Sequence, residues 1–219
     1  MNRTSAIATG LLVLAAQPGL ISAGTATSTS KTSAKSPGAA DTSVCAACHG
    51  ANGEGSAAAH VPRIAGQSAE YLQKQLDDYA SGARDNAIMA NFAKALSFEQ
   101  RGQLAQRYAA MSAPLLSEPV ANPRQLARGH QLAYQGDEEI RVQACNSCHG
   151  PDGSGVLHAA PYLAGQSSEY ISSALEAFRA GSRKNDAGEL MRSVAGHLSE
   201  ADIAAASAYF ANEGSATRP

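Results

Sequence analysis

Every cysteine of the 219-residue chain stands in one of two short runs, Cys45-Ala46-Ala47-Cys48-His49 and Cys145-Asn146-Ser147-Cys148-His149. Two thiols at this spacing, followed at once by an imidazole, suit covalent attachment of a porphyrin. Each thiol can form a thioether to one vinyl group, and the histidine can reach the iron from the same side. The pattern therefore predicts two covalently bound haem c groups, held by Cys45, Cys48, Cys145 and Cys148, with His49 and His149 as iron ligands. Paired cysteines also serve structural zinc, redox dithiols and disulfides. Zinc ligand pairs usually stand closer together, and a thioredoxin-like site needs a βαβ pattern that is absent here.

The sixth ligand decides whether such an iron carries electrons or binds small molecules. Met89 and Met191 occupy nearly equivalent places, each after a GxRxN segment and before a Leu-Ser helix start, and are the expected ligands of the first and second iron. A methionine beside a helix is ordinarily core filler, but the repetition points to ligation. Met111 has no counterpart and reads as core. His60 and His158 follow the motifs too closely to cross to the opposite haem face, while His130 and His197 lack partners in the other copy.

Positioning these groups falls to a duplicated unit. CHGANGEG from Cys48 answers CHGPDGSG from Cys148, and AGQSAEY from Ala65 answers AGQSSEY from Ala164. GARDN from Gly82 answers GSRKN from Gly181, and Leu96-Ser97 answers Leu198-Ser199, all at a displacement of about one hundred residues. Apolar stripes at Tyr71, Leu72, Leu76, Tyr79 and at Tyr170, Ile171, Leu175, Phe178 predict helices ended by Gly82 and Gly181. Ser97 with Gln100 and Ser199 with Asp202 resemble capping boxes opening terminal helices that run to about Met111 and Phe210. With no strand alternation, the fold class is all-α. The expected domains are 41–112 and 123–212, joined by a linker at 113–122 that holds Pro114 and Pro119, with a tail at 213–219. Domains this small, with 5% aromatic residues and no Trp, bury too little by themselves, so haem is expected to complete each core.

Arg3 precedes a short apolar run from Ala6 to Ala16, then Pro18 and small residues, the build of a secretory signal peptide over 1–26. Cleavage after Ala23 or after Ala26 fits equally, and an uncleaved anchor is the alternative. Residues 27–40, rich in Ser, Thr, Ala, Gly and Lys, have the composition of a disordered spacer. Export in a bacterium implies the periplasm. The net charge of −2 and the absence of a basic run argue against nucleic acid as a partner.

These residues resemble the class I c-type cytochromes, and within them the dihaem cytochromes c of the c-four type, over about residues 41 to 212. The resemblance rests on the paired CxxCHG motifs, the Pro-x-x-Ala-Gly-Gln segments at Pro62 and Pro161, the GxRxN segments, the placed methionines and the closing helices. It implies two tandem cytochrome c domains, each wrapped around one covalently bound haem, with His/Met-ligated irons facing one another across an interface. It also implies that the Pro62 and Pro161 carbonyls accept the second ring proton of the proximal histidines. Arg84 and Arg183 are candidates to pair with haem propionates, the alternative being exposed arginines after a helix end. One departure stands out: Pro123 to Gly136 reads as a helix before the second haem motif, whereas the spacer occupies that place in the first half.

The expected function is electron transfer, since methionine raises the iron's potential and fills the site that oxygen or peroxide would take. Such relatives carry electrons from a quinol-oxidising cytochrome complex or a dehydrogenase to a terminal oxidase, touching the membrane only through partners or an uncleaved signal. Two other readings stay open: an electron-accepting subunit of a periplasmic dehydrogenase complex, and a dihaem peroxidase or thiosulfate-oxidising enzyme.

Overall fold

The computed structural model describes residues 41–118, 121–153 and 160–213. The expected signal peptide, the spacer, His158 and the tail beyond Glu213 lie outside the described residues. Among those residues nine α-helices occur, and strand pairing is confined to two isolated bridges, Ser56 with Val61 and Asp137 with Val142.

The first half holds α1 (Ser43–His49), α2 (Ala69–Ser81), α3 (Ala87–Lys94) and α4 (Phe98–Ala109). Their boundaries have local causes. Ser68 accepts the Tyr71 N–H at 3.2 Å to open α2, and Gly82, at φ 84°, closes it in the left-handed conformation that glycine adopts without strain. Asn86 accepts the Met89 N–H at 2.9 Å to open α3, and Ser97 with Gln100 forms a reciprocal capping box at α4. α2 packs against both α3 and α4.

The second half holds α5 (Pro123–Tyr134), α6 (Asn146–His149), α7 (Ser168–Arg179), α8 (Leu190–His197) and α9 (Glu200–Glu213). Asn122 caps α5 with Pro123 in its first turn, where a missing N–H costs nothing. α9 runs beyond the expected end at Phe210 because its alanines propagate helix and most of it is packed, with Ala205 to Ala211 buried. α5 and α7 both lie on α9, and Leu132, Ile203 and Phe210 are almost fully buried there. Each such side chain contributes about 1.5–3 kcal/mol.

The halves differ where α5 meets α9. A Cβ on Gly129 would stand 2.3 Å from the Ala205 carbonyl oxygen and 2.4 Å from Tyr209 Cβ, so only glycine lets the two backbones approach. In α4 the positions matching Ala205 and Tyr209 are Gln103 and Arg107, and both are exposed. The first half is thus written for a wet helix face where the second is written for a helix partner. Arg128 completes the second-half frame by donating to Asp202 and to Asp137, each at 2.7 Å, which ties α5 to the start of α9 and to the loop leading into the second haem motif.

Gly129→Ala is expected to push α5 off α9 and cost about 1–3 kcal/mol, read as a lower thermal midpoint of the haem-loaded protein. The Arg128 network also predicts acid sensitivity. The Arg128 bond holds Asp137 below the ordinary 3.8, and at Asp202 the bonds from Ser199 and Arg128 outweigh a burial effect that acts upward. Carboxylates depressed in the folded state contribute stability that is present above 3.8 and lost as pH falls through their folded values. Arg128→Met should flatten that acid limb in a pH series of thermal denaturations.

Candidate functional site

Both haem motifs end in a short helix whose last residue is the histidine. α1 delivers His49 and α6 delivers His149, and both imidazoles are buried. His49 Nδ1 donates to the Pro62 carbonyl at 2.9 Å, and His149 Nδ1 donates to the Pro161 carbonyl at 2.9 Å. Those bonds fix the tautomer and leave each Nε2 lone pair for a metal. Burial holds both imidazoles below their ordinary pKa, the carbonyl bond opposing it, so they are neutral at physiological pH.

The loop that brings Pro62 back to His49 is compact. Ser56 and Val61 exchange backbone hydrogen bonds at 2.8 and 2.9 Å, and Gly55 N–H donates to the His49 carbonyl at 2.8 Å. Gly55 sits at φ 82°, and a Cβ there would lie 2.5 Å from Arg63 N and 2.7 Å from Pro62 C. The glycine therefore leaves room for the proline peptide to close over the ring.

Cys45, Cys48, Cys145 and Cys148 are not in disulfides. Burial raises the Cys45 thiol and pushes Cys145 up to about 11, so both stay protonated near neutrality. Among the described residues no three His, Cys, Asp or Glu side chains gather as a metal-binding cluster. Two thiols and a neutral, correctly oriented imidazole in each copy fit one thioether-linked haem per half, and neither copy needs the other's cysteines.

Met89 lies in the first turn of α3 and Met191 in the first turn of α8, both partly buried, with Met191 packed against the second-half core. Met111 follows α4, outside any such equivalent turn. The other described histidines have separate surroundings. His130 stacks on Tyr134 at 4.7 Å between ring centroids, His197 Nδ1 bonds the Ser193 carbonyl at 2.8 Å, and exposed His60 stands 3.7 Å from Glu169.

Arg84 and Arg183 are placed where sequence reasoning did not look, at the junction of the halves. Arg84 donates to Gln75 at 2.8 Å and to the Tyr170 hydroxyl at 2.9 Å, with its guanidinium over the Tyr79 ring. Arg183 mirrors it: it donates to the Tyr71 hydroxyl at 3.2 Å and lies over Phe178. Burial would raise the Tyr170 phenol, but the two arginines outweigh it and hold it below its ordinary value. The mirror symmetry breaks at Gln75. Its Oε1 accepts from Arg84, from Arg183 at 3.2 Å and from Asn185 at 2.9 Å, whereas the equivalent residue of α7 is Ala174. Asp78 accepts from Asn185 at 2.7 Å, and Ala177 holds that place in α7. The signal for these junction residues was the repeat itself, in which both tyrosines and both arginines recur.

The cytochrome c family model matches residues 36–115 and 126–212. The chain is 45% identical over 170 residues to the thiosulfate dehydrogenase electron acceptor of Stutzerimonas stutzeri strain A1501, covering 78% of this chain and 79% of that one. The reduced recombinant cytochrome c4 of Pseudomonas stutzeri superposes with a TM-score of 0.71 at 33% identity, over 78% of this chain and 93% of that one. The thiosulfate dehydrogenase TsdBA of Marichromatium purpuratum superposes with a TM-score of 0.70 at 35% identity over 76% of this chain, which spans 36% of that longer chain.

Gln75→Leu leaves two guanidiniums and an amide without their shared acceptor. Stability should fall by about 1–3 kcal/mol, and hydrogen exchange should quicken in both α2 and α7 while α5 and the Gly129 contact keep their protection.

Proposed function

The chain belongs to the cytochrome c family, as a protein of two cytochrome c domains that carries two haem c groups and transfers electrons, and we propose that it serves as the electron acceptor of a thiosulfate-oxidising dehydrogenase. The observation that carries this reading is the 45% identity, spread over both halves, to a protein with that role. A second observation supports it: a region of like fold lies within a larger thiosulfate dehydrogenase chain.

In this reading the haems supply one-electron redox chemistry, and the chain sets where they sit and how readily they reduce. Cys45, Cys48, Cys145 and Cys148 anchor them. His49 and His149 present Nε2 to the irons, oriented by the Pro62 and Pro161 carbonyls. Met89 and Met191 would supply the second protein ligand to each iron, which would keep oxygen and peroxide out and favour the reduced state. Arg84 and Arg183 would balance propionate charge at the junction of the halves. The leader at 1–26 directs the chain to the periplasm, the spacer 27–40 separates it from the domains at 41–112 and 123–212, and electrons leave toward a terminal oxidase of the respiratory chain. Among the described residues no helix is long and apolar enough to cross a membrane.

The general shuttle, from a quinol-oxidising complex to an oxidase, is the second reading, favoured by the superposition on cytochrome c4. Mixing the oxidised protein with thiosulfate and catalytic thiosulfate dehydrogenase separates the two. Rapid haem reduction that needs both additions is the expected result. Sustained thiosulfate oxidation by this protein alone, with an added electron acceptor to reoxidise its haems, would make this chain an enzyme, and no reduction with both additions present would leave the shuttle. For the ligand set, Met89→Ala and Met191→Ala should each abolish half of the methionine-to-iron charge-transfer absorption and let carbon monoxide bind one reduced iron per molecule.

A further inference from the structure

The Ala-Gly-Gln segments recur in both halves, and their glutamines have no part in the functions above. Both are buried, at 7% exposure each. Gln67 Oε1 accepts from Tyr162 N–H at 2.9 Å while its Nε2 donates to the Tyr162 carbonyl at 3.1 Å. Gln166 does the same in reverse: Oε1 accepts from Arg63 N–H at 2.9 Å and Nε2 donates to the Arg63 carbonyl at 2.9 Å. Each amide is also pinned locally, since Ser68 N–H and Ser167 N–H donate to the same oxygens at 3.0 Å.

The residues they grip decide the consequence. Tyr162 N–H and the Pro161 carbonyl are the two ends of one peptide group, and that carbonyl accepts from His149. Arg63 N–H and the Pro62 carbonyl are likewise one peptide, and that carbonyl accepts from His49. Peptide resonance links the two ends, so a hydrogen bond given by the N–H strengthens the carbonyl as an acceptor. A stronger acceptor draws on the imidazole Nδ1–H and makes the ring a better donor to a metal.

We infer that Gln67 and Gln166 are crossed positioning residues, each setting, through a single peptide group, the donor strength of the proximal histidine in the opposite half. Gln67 acts on His149 and Gln166 acts on His49. Docking of the halves is then part of the tuning of both irons, and each glutamine favours the ferric state of the haem it does not share a domain with. The inference rests on the reading of His49 and His149 as iron ligands.

The test is a redox titration of the haem-loaded protein followed by proton NMR, with the hyperfine-shifted haem methyl signals reporting each haem separately. Gln67→Leu should raise the potential of the second haem and leave the first unchanged. Gln166→Leu should raise the first and leave the second. Gln67→Glu keeps an oxygen facing Tyr162 N–H and should hold the second haem at or below its wild-type potential. Should a leucine variant fail to retain haem, Gln67→Met and Gln166→Met, which remove the same amide oxygen, carry the same expectations. In the leucine or methionine variants, potentials that move together, that move in the substituted half, or that do not move overturn the inference, as does a rise of the second haem's potential in Gln67→Glu. Intact methionine-to-iron absorption with unmoved potentials sinks this inference alone. Loss of histidine ligation signals in the wild-type protein would sink the ligand assignment beneath it.

Discussion

A buried imidazole can serve a metal only if its other nitrogen is satisfied, and here that condition is met by a proline carbonyl in each half. The bonds from His49 to Pro62 and from His149 to Pro161 span 13 and 12 residues of chain. Much of the local architecture follows from folding the chain back over that distance. The loop after α1 must reverse within a few residues, hence the Ser56–Val61 bridge and a glycine at position 55 where any side chain would strike the Pro62–Arg63 peptide. The segment must then enter the first long helix without leaving its amides bare, hence Ser68 and Ser167 as caps directly after the glutamines.

Duplication supplied two copies of this device, and the copies have diverged in what surrounds them. In the second half a glycine at the α5–α9 crossing and a twelve-residue buried cluster give the haem motif a rigid frame. The first half turns Gln103 and Arg107 outward on the corresponding helix. At the junction, the first half contributes Gln75 and Asp78, and the second offers only alanines there. The two haem motifs thus share the histidine–carbonyl bond and differ in environment.

The haem motifs, the duplication and the all-α class were legible because they depend on local rules: residue identity at fixed spacing, apolar periodicity and capping chemistry. The capping box at Ser97 and the glycine stop at Gly82 stand where the residues put them. The reach of α9 past Phe210 was less legible, since the burial of Ala205 to Ala211 is a property of its neighbours. The arginines of the GxRxN segments were visible as a repeated charge, but their tyrosine partners lie 86 and 112 residues away and belong to the other copy.

By itself, then, the sequence determined which groups are present and how often: two pairs of thiols, each with a histidine directly after it, two methionines in repeated places and the helices that carry them. Only the tertiary structure decided that the two copies reach into one another. A glutamine, a tyrosine or an arginine in a repeat is a donor or acceptor without an address, because hydrogen bonds between buried groups are chosen by three-dimensional proximity. Once the halves dock, Gln67 and Gln166 have one satisfactory partner each within reach, and leaving it unmade would strand a buried amide.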